Sequence, residues 1–135
     1  MNSTPKLEEA LSRVGMRPSK TKLQVFNILS DSNEPLTSVE IVNRTDGSHF
    51  VSVYRALDAL VKAGVLKIVS IAHKQKYELS DTFYPHHHHV TCEECGLSVS
   101  IQHEQIEQMA EDVTRQAGMR PLRHSFEAYG VCNRH

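Results

Sequence analysis

Four consecutive histidines, His86–His89, stand just ahead of a Cys92-x-x-Cys95-Gly96 turn in the stretch YPHHHHVTCEECG. No other feature restricts the fold as strongly. Two cysteines at that spacing on a tight turn can reach one tetrahedral ion. A β-strand sends alternate side chains to opposite faces. If the histidine run is extended, His86 and His88 point one way and His87 and His89 the other, so the run predicts two sites. Each pair then needs ligands from elsewhere, and Glu78, Glu107, His103 and His124 are the candidates. The plainer alternative is a solvated histidine edge that holds nothing, and the neighbouring CxxC weighs against it. His49 and His73 stand alone and read as surface residues.

A zinc ion on Cys92 and Cys95 needs two further ligands. Cys132 is the remaining cysteine, and His135 follows it by three residues in CNRH, which completes a Cys3His set. Three cysteines, an odd number, disfavour a disulfide framework and favour reduced thiols. No apolar run is long enough to cross a membrane and no signal peptide precedes the first helix, so the expected compartment is the cytoplasm.

Charge is divided along the chain. Residues 1–83 carry 11 Lys/Arg against 9 Asp/Glu, whereas residues 84–135 carry 4 against 7 and hold seven of the nine histidines. The first part reads as helices. PKLEEALSRVG opens with acids and stops at Gly15, and SKTKLQVFNILSDS places Leu23, Phe26 and Leu29, with Val25 and Ile28, on one apolar face. Thr37 and Glu40 fit a capping box. In FVSVYRALDALVKAG, Val53, Leu57, Leu60 and Val61 form an apolar stripe, with Ser52, Arg55, Asp58 and Lys62 opposite and Tyr54 at the margin. VLKIVSIAHKQKYEL then reads as two strands around a tip at His73-Lys74-Gln75. Helices followed by a two-stranded wing give the order of a winged helix-turn-helix.

After Pro85 the pattern is strand (HHHHVTC), turn, strand (LSVSI), helix over 103–117, and strand (RHSFEAYGV). The helix places Ile106, Met109, Ala110, Val113 and Ala117 on a face expected to be buried. The expected class is α+β. A winged helix-turn-helix over 1–82 is followed by a small α/β unit over 83–135.

SVYRALDALVKAG, HHHHVTCEECG and RHSFEAYGVC together resemble the recognition helix, metal hinge and closing strand of the ferric uptake regulator (Fur) superfamily. The resemblance covers nearly the whole chain. It implies a DNA-binding domain over 1–82 and a metal-binding dimerisation domain over 83–135, in a non-enzymatic repressor that binds operator DNA as a metal-loaded homodimer. By position it implies structural zinc on Cys92, Cys95 and Cys132. It gives an additional site to His86, His88, Glu107 and His124, and a sensing site to Glu78, His87 and His89. Tyr54 and Arg55 match the DNA-contacting pair, with Ser52 beside them on the recognition helix. Arg17, Lys20, Lys22 and Lys62 are the expected phosphate contacts. The sensed ion is Zn2+ or Fe2+, with Mn2+ also compatible, because geometry selects more than ligand type. YRALDAL and LRHSFEAYG look slightly more like zinc uptake regulators.

The chain departs from the family's pattern in several places. Cys132 is followed by His135 where a second CxxC is usual. Ser100 and Pro35 stand where the sensing site usually takes an acid and a histidine, and Ser80 where zinc regulators often have a cysteine. The segment before the recognition helix is also some six residues shorter than usual. Two rivals follow. One is a constitutive winged-helix protein whose zinc is purely structural, the other a metal-dependent hydrolase, which the lack of an HExxH motif disfavours.

Overall fold

The computed structural model describes residues 4–47, 49–83 and 86–133. It divides into two compact units, Met1–Pro85 and His86–His135.

The first unit orders α1 (Thr4–Arg13), α2 (Lys20–Asp31), α3 (Ser38–Arg44), α4 (Phe50–Lys62), β1 (Leu66–Ile71) and β2 (Lys74–Leu79). Two of these helices, α2 and α3, start where a capping side chain satisfies a free amide. Ser19 caps α2, its side chain accepting from the Lys22 N–H. At α3 the capping box is complete, with Thr37 Oγ1 accepting from the Glu40 N–H at 3.2 Å and Glu40 Oε1 from the Thr37 N–H at 2.9 Å. The core gathers Leu7 and Leu11 of α1, Val25, Phe26 and Leu29 of α2, Ile41 of α3, and Val53, Ala56, Leu57 and Leu60 of α4. Burying one leucine of this kind contributes about 2 kcal/mol.

The wing is an antiparallel pair in which Leu66 faces Leu79 and Ile71 faces Lys74. Its turn is Ala72-His73, both at positive φ, so the tip falls one residue before the expected His73-Lys74-Gln75. Two left-handed residues match the twist of a two-residue hairpin, which accounts for the shift. Leu36 pairs with Tyr77 through two backbone bonds, at 3.1 and 2.7 Å, and so adds a bridge to the wing. Two further expectations are corrected. α1 has no acid in its first turn because it begins at Thr4, which moves Glu8 and Glu9 further along. Leu23 is exposed, because Val25, Phe26 and Leu29 already define the inward face of α2.

The second unit is a three-stranded sheet of order β4-β3-β5 with one helix. Strand β3 (His88–Cys92) pairs antiparallel with β4 (Ser98–Ile101) and parallel with β5 (Glu127–Gly130), and α5 (Glu104–Gln116) makes the crossover between β4 and β5. The expected strand HHHHVTC begins two residues late. The strand starts at His88, which pairs with Ile101, the last residue of β4. The closing strand is likewise shorter than RHSFEAYGV.

The face of α5 expected to be buried is covered only in part. Met109 and Val113 are 56% and 54% exposed, and α5 has no buried residue. Its 3.6-residue period is real, and among the described residues Ile106 and Ala110 are half-buried while Met109 and Val113 stay exposed. Among the described residues of this unit, the buried side chains are His87, His88, His89, Thr91 and Cys92, with no aliphatic residue among them.

Candidate metal and DNA-binding sites

The first metal cluster forms because β3 and β5 are in register. Cys92, the last residue of β3, pairs with Gly130, so the chain leaving β5 carries Cys132 back over the CxxC turn. The turn is closed by the Gly96 N–H donating to the Cys92 carbonyl at 2.9 Å, with Gly96 at φ +78°, where glycine alone is unstrained. Cys95 Sγ and Cys132 Sγ are 3.8 Å apart, and the Cys132 N–H donates to Cys92 Sγ at 3.3 Å. That amide, followed by those of Cys95 and Glu94, brings the Cys92 thiol down to about 6. Backbone N–H groups aimed at sulfur favour thiolate. Three converging thiols, one already inclined to lose its proton, fit a zinc ion. His135 lies outside the described residues.

The second cluster combines strand, helix and loop. His86, His88, Glu107 and His124 have ligand atoms all within 4.8 Å of one another. Glu107 sits in the first turn of α5 and points back at the sheet. Its Oε1 meets His86 Nε2 at 3.1 Å and His124 Nε2 at 2.8 Å, while Oε2 meets His88 Nε2 at 2.5 Å. His86 Nε2 and His124 Nε2 are 3.2 Å apart. Burial pushes the Glu107 carboxyl up, but the bond to His88 and the nearby His86 and His124 outweigh it and hold it below 4.5. Three imidazole nitrogens and a carboxylate suit a divalent ion of borderline character.

The other two histidines make a separate pair. The His87 and His89 rings meet edge-on at 4.8 Å, as His86 and His88 do at 4.7 Å, so alternation persists although His86 and His87 precede the strand. Glu78 belongs to the first unit. It is buried on β2 opposite Lys67, whose Nζ is 3.5 Å from its carboxylate. His103 joins neither cluster. It caps α5, its side chain accepting from the Gln105 N–H at 3.3 Å.

Helix α4 buries Val53, Ala56, Leu57 and Leu60 and exposes Ser52, Tyr54, Arg55 and Lys62. The Tyr54 hydroxyl is 2.9 Å from Ser38 Oγ, which ties α4 to the first residue of α3. Lys62 pairs with Asp58 at 3.0 Å, and Lys22 Nζ donates to the Arg17 carbonyl at 2.7 Å. Arg17, Lys20 and Lys22 are grouped around the start of α2. Sequence reasoning passed over Phe50 and Val51, exposed at the start of α4; their apolar character in FVSVYR was the available signal.

A winged helix-turn-helix followed by an α/β unit with cysteine and histidine–carboxylate clusters defines a metal-binding transcription factor. The sequence pattern described as the ferric uptake regulator family matches residues 13–129, and the chain belongs to that family. It is a metal-responsive transcriptional regulator. The ferric uptake regulation protein of Yersinia pestis is 25% identical over 131 residues, covering 92% of this chain and 86% of that one. That of Campylobacter jejuni is 32% identical over 82 residues, covering 60% and 51%. In fold, the chain is similar to the ferric uptake regulator of Helicobacter pylori, with a TM-score of 0.80 at 22% identity over 97% of this chain and 89% of that one. It is also similar to a zinc-bound manganese uptake regulator, with a TM-score of 0.70 at 26% identity over 93% and 98%. No helix among the described residues is long and apolar enough to cross a membrane.

Proposed function

We propose that this chain is a metal-gated repressor that binds operator DNA as a homodimer, with structural Zn2+ and a second divalent ion, Zn2+ or Fe2+, as the signal. The observation that carries this reading is the division of the histidine run. His86 and His88 converge with Glu107 and His124, while His87 and His89 pair separately. A run serving one loose site would not sort by parity.

Cys92, Cys95 and Cys132 would hold the structural zinc, which when bound cross-links the sheet's turn to the segment after β5. Thiolate ligation of this kind contributes folding free energy directly, and among the described residues of this unit no aliphatic side chain is buried to substitute for it. His86, His88, Glu107 and His124 would hold the additional ion. Sensing is assigned to Glu78, His87 and His89 on the family's pattern. The H. pylori regulator has three functional metal binding sites, and three ligand groups are assigned here. Mn2+ is compatible too, since one relative in fold is a manganese uptake regulator.

Ligation shared between the winged helix and the dimerisation unit would fix the spacing of two recognition helices to the repeat of the major groove. The ion shifts that balance only by its differential affinity for the DNA-competent state; moving it from 1:99 to 99:1 takes about 5.5 kcal/mol. Arg55 and Tyr54, with Ser52, would approach bases, and Arg17, Lys20, Lys22 and Lys62 phosphates. The exposed Met109 and Val113 face of α5 supports the homodimer, because a second copy would bury it.

A constitutive DNA-binding protein with structural zinc alone is the competing reading, favoured by Ser100 and Pro35 standing where the family has ligands. Operator titration with and without added ion, on protein that keeps its thiolate-bound zinc, separates the two. Affinity that rises with the ion supports gating, and unchanged affinity supports the rival.

A further inference from the structure

The outward face of α4 is unusual for a solvated helix surface. Phe50, Val51, Tyr54, Arg55 and Asp58 follow the i, i+1, i+4, i+5, i+8 pattern and are all exposed, opposite the buried Val53, Ala56, Leu57 and Leu60. Three of these five are apolar or aromatic and lie in the first turns, with Phe50 61% and Val51 46% exposed. The Phe50 ring meets Tyr54 edge-to-face with centroids 6.2 Å apart, and Ser38 fixes the Tyr54 hydroxyl. Phe50 therefore stands beside a held ring, and the two make one continuous apolar surface next to Arg55.

We propose that Phe50 and Val51 are specificity-determining residues that read thymine methyl groups in the major groove, beside the base read by Arg55. This rests on α4 being the recognition helix. The N-terminal residues of such a helix approach base edges. In the major groove the thymine C5-methyl is the one apolar feature a base pair presents, and apolar side chains recognise it. The side chains flanking Arg55 at this end lack the amide or charged groups that would read adenine or cytosine by hydrogen bonds. Their polar neighbours are Arg55, which suits guanine or phosphate, and Ser52; Asp58, the carboxylate of that face, lies a turn further along and pairs with Lys62 at 3.0 Å. The occupant is thus DNA with thymine next to the Arg55 contact.

The test uses the intact 135-residue chain, with Zn2+ or Mn2+ supplied, and a duplex selected from a random-sequence library. The duplex is resynthesised with deoxyuridine replacing thymidine at one position at a time, which removes a single methyl. At one or two adjacent positions in each half-site the unaltered protein should bind about fourfold more weakly, the effect of one methyl-sized burial. Phe50→Ala or Val51→Ala should lose that penalty and bind the two duplexes alike. Because both residues are exposed, thermal unfolding of these variants should match the parent and exclude a folding artefact. Indifference of the unaltered protein to deoxyuridine everywhere, while Arg55→Ala abolishes operator binding, overturns methyl reading and leaves the recognition helix standing. Variants that bind DNA like the parent, methyl penalty included, also overturn it. If Arg55→Ala binds the operator as the parent does, the reading of α4 falls, and this proposal with it.

Discussion

His86 and His124 bring their Nε2 atoms to 3.2 Å across 38 positions of sequence, and both meet the same oxygen of Glu107. Convergence on one carboxylate is what separates His86 and His88 from His87 and His89. The double variant His86→Ala/His88→Ala should therefore lose one ion per chain while retaining most of the metal response of DNA binding. His87→Ala/His89→Ala should lose the response and keep the thiolate-bound zinc. Elemental analysis and operator titration of both variants check this, and identical behaviour would collapse the two sites into one cluster.

The cysteine cluster should be needed for the second unit to hold its shape. Cys95→Ser removes one of three thiolates and leaves Cys92 and Cys132, too few for tight tetrahedral zinc. We expect loss of chelator-resistant zinc and a lower unfolding temperature or weakened dimerisation. A variant that keeps one stoichiometric zinc after chelator treatment would show the site to be wrongly assigned.

The capping box of α3 gives a prediction for the winged helix alone. Thr37→Ala removes the acceptor for the Glu40 N–H and should cost about 1 kcal/mol of stability. Glu40 is held below its ordinary 4.5, chiefly by the Thr37 backbone N–H. A carboxyl depressed on folding contributes stability above its unfolded pKa and loses it as pH falls through the folded value. Glu40→Gln should accordingly narrow the stability gap between pH 7 and pH 3 relative to the parent. Denaturant melts at both pH values measure this, and an equal gap in both proteins would refute it.

The apolar face of α5 should be covered in solution. Met109→Glu or Val113→Glu places a charge on that face and should shift dimer to monomer in sedimentation at fixed concentration, with little effect on the unfolding of the winged helix. An unchanged dimer fraction in both variants would place the subunit interface elsewhere.

Much of this was legible in the sequence, for identifiable reasons. Thr37 and Glu40 announce α3 because a capping box is local chemistry three residues long. Val53, Leu57 and Leu60 announce α4 because one period runs through its whole length. Histidine parity survives the late start of β3 because ring alternation needs only extended backbone. The burial of α5 was misread for a different reason. Met109 and Val113 have the spacing of a core face, and periodicity shows that a face is to be covered without showing which chain covers it. The wing tip was misplaced because Ala72 and His73 adopt left-handed conformations that composition does not signal. The pairing of Leu36 with Tyr77 joins residues too distant in sequence for any local pattern to link.

The central claim, that metal controls DNA binding through α4, is tested most directly by one titration. The intact 135-residue chain, loaded with structural zinc, is titrated onto a library-selected duplex at fixed salt, with and without added Zn2+, Fe2+ or Mn2+, alongside Arg55→Ala. Arg55 is exposed and has no core role, and a bidentate arginine–guanine contact contributes about 1–3 kcal/mol of discrimination. Operator affinity should rise severalfold or more with at least one ion, and specific binding should disappear in Arg55→Ala while metal content and dimerisation stay unchanged. Equal affinity with and without every ion, or an Arg55→Ala variant that binds like the parent, would contradict that claim.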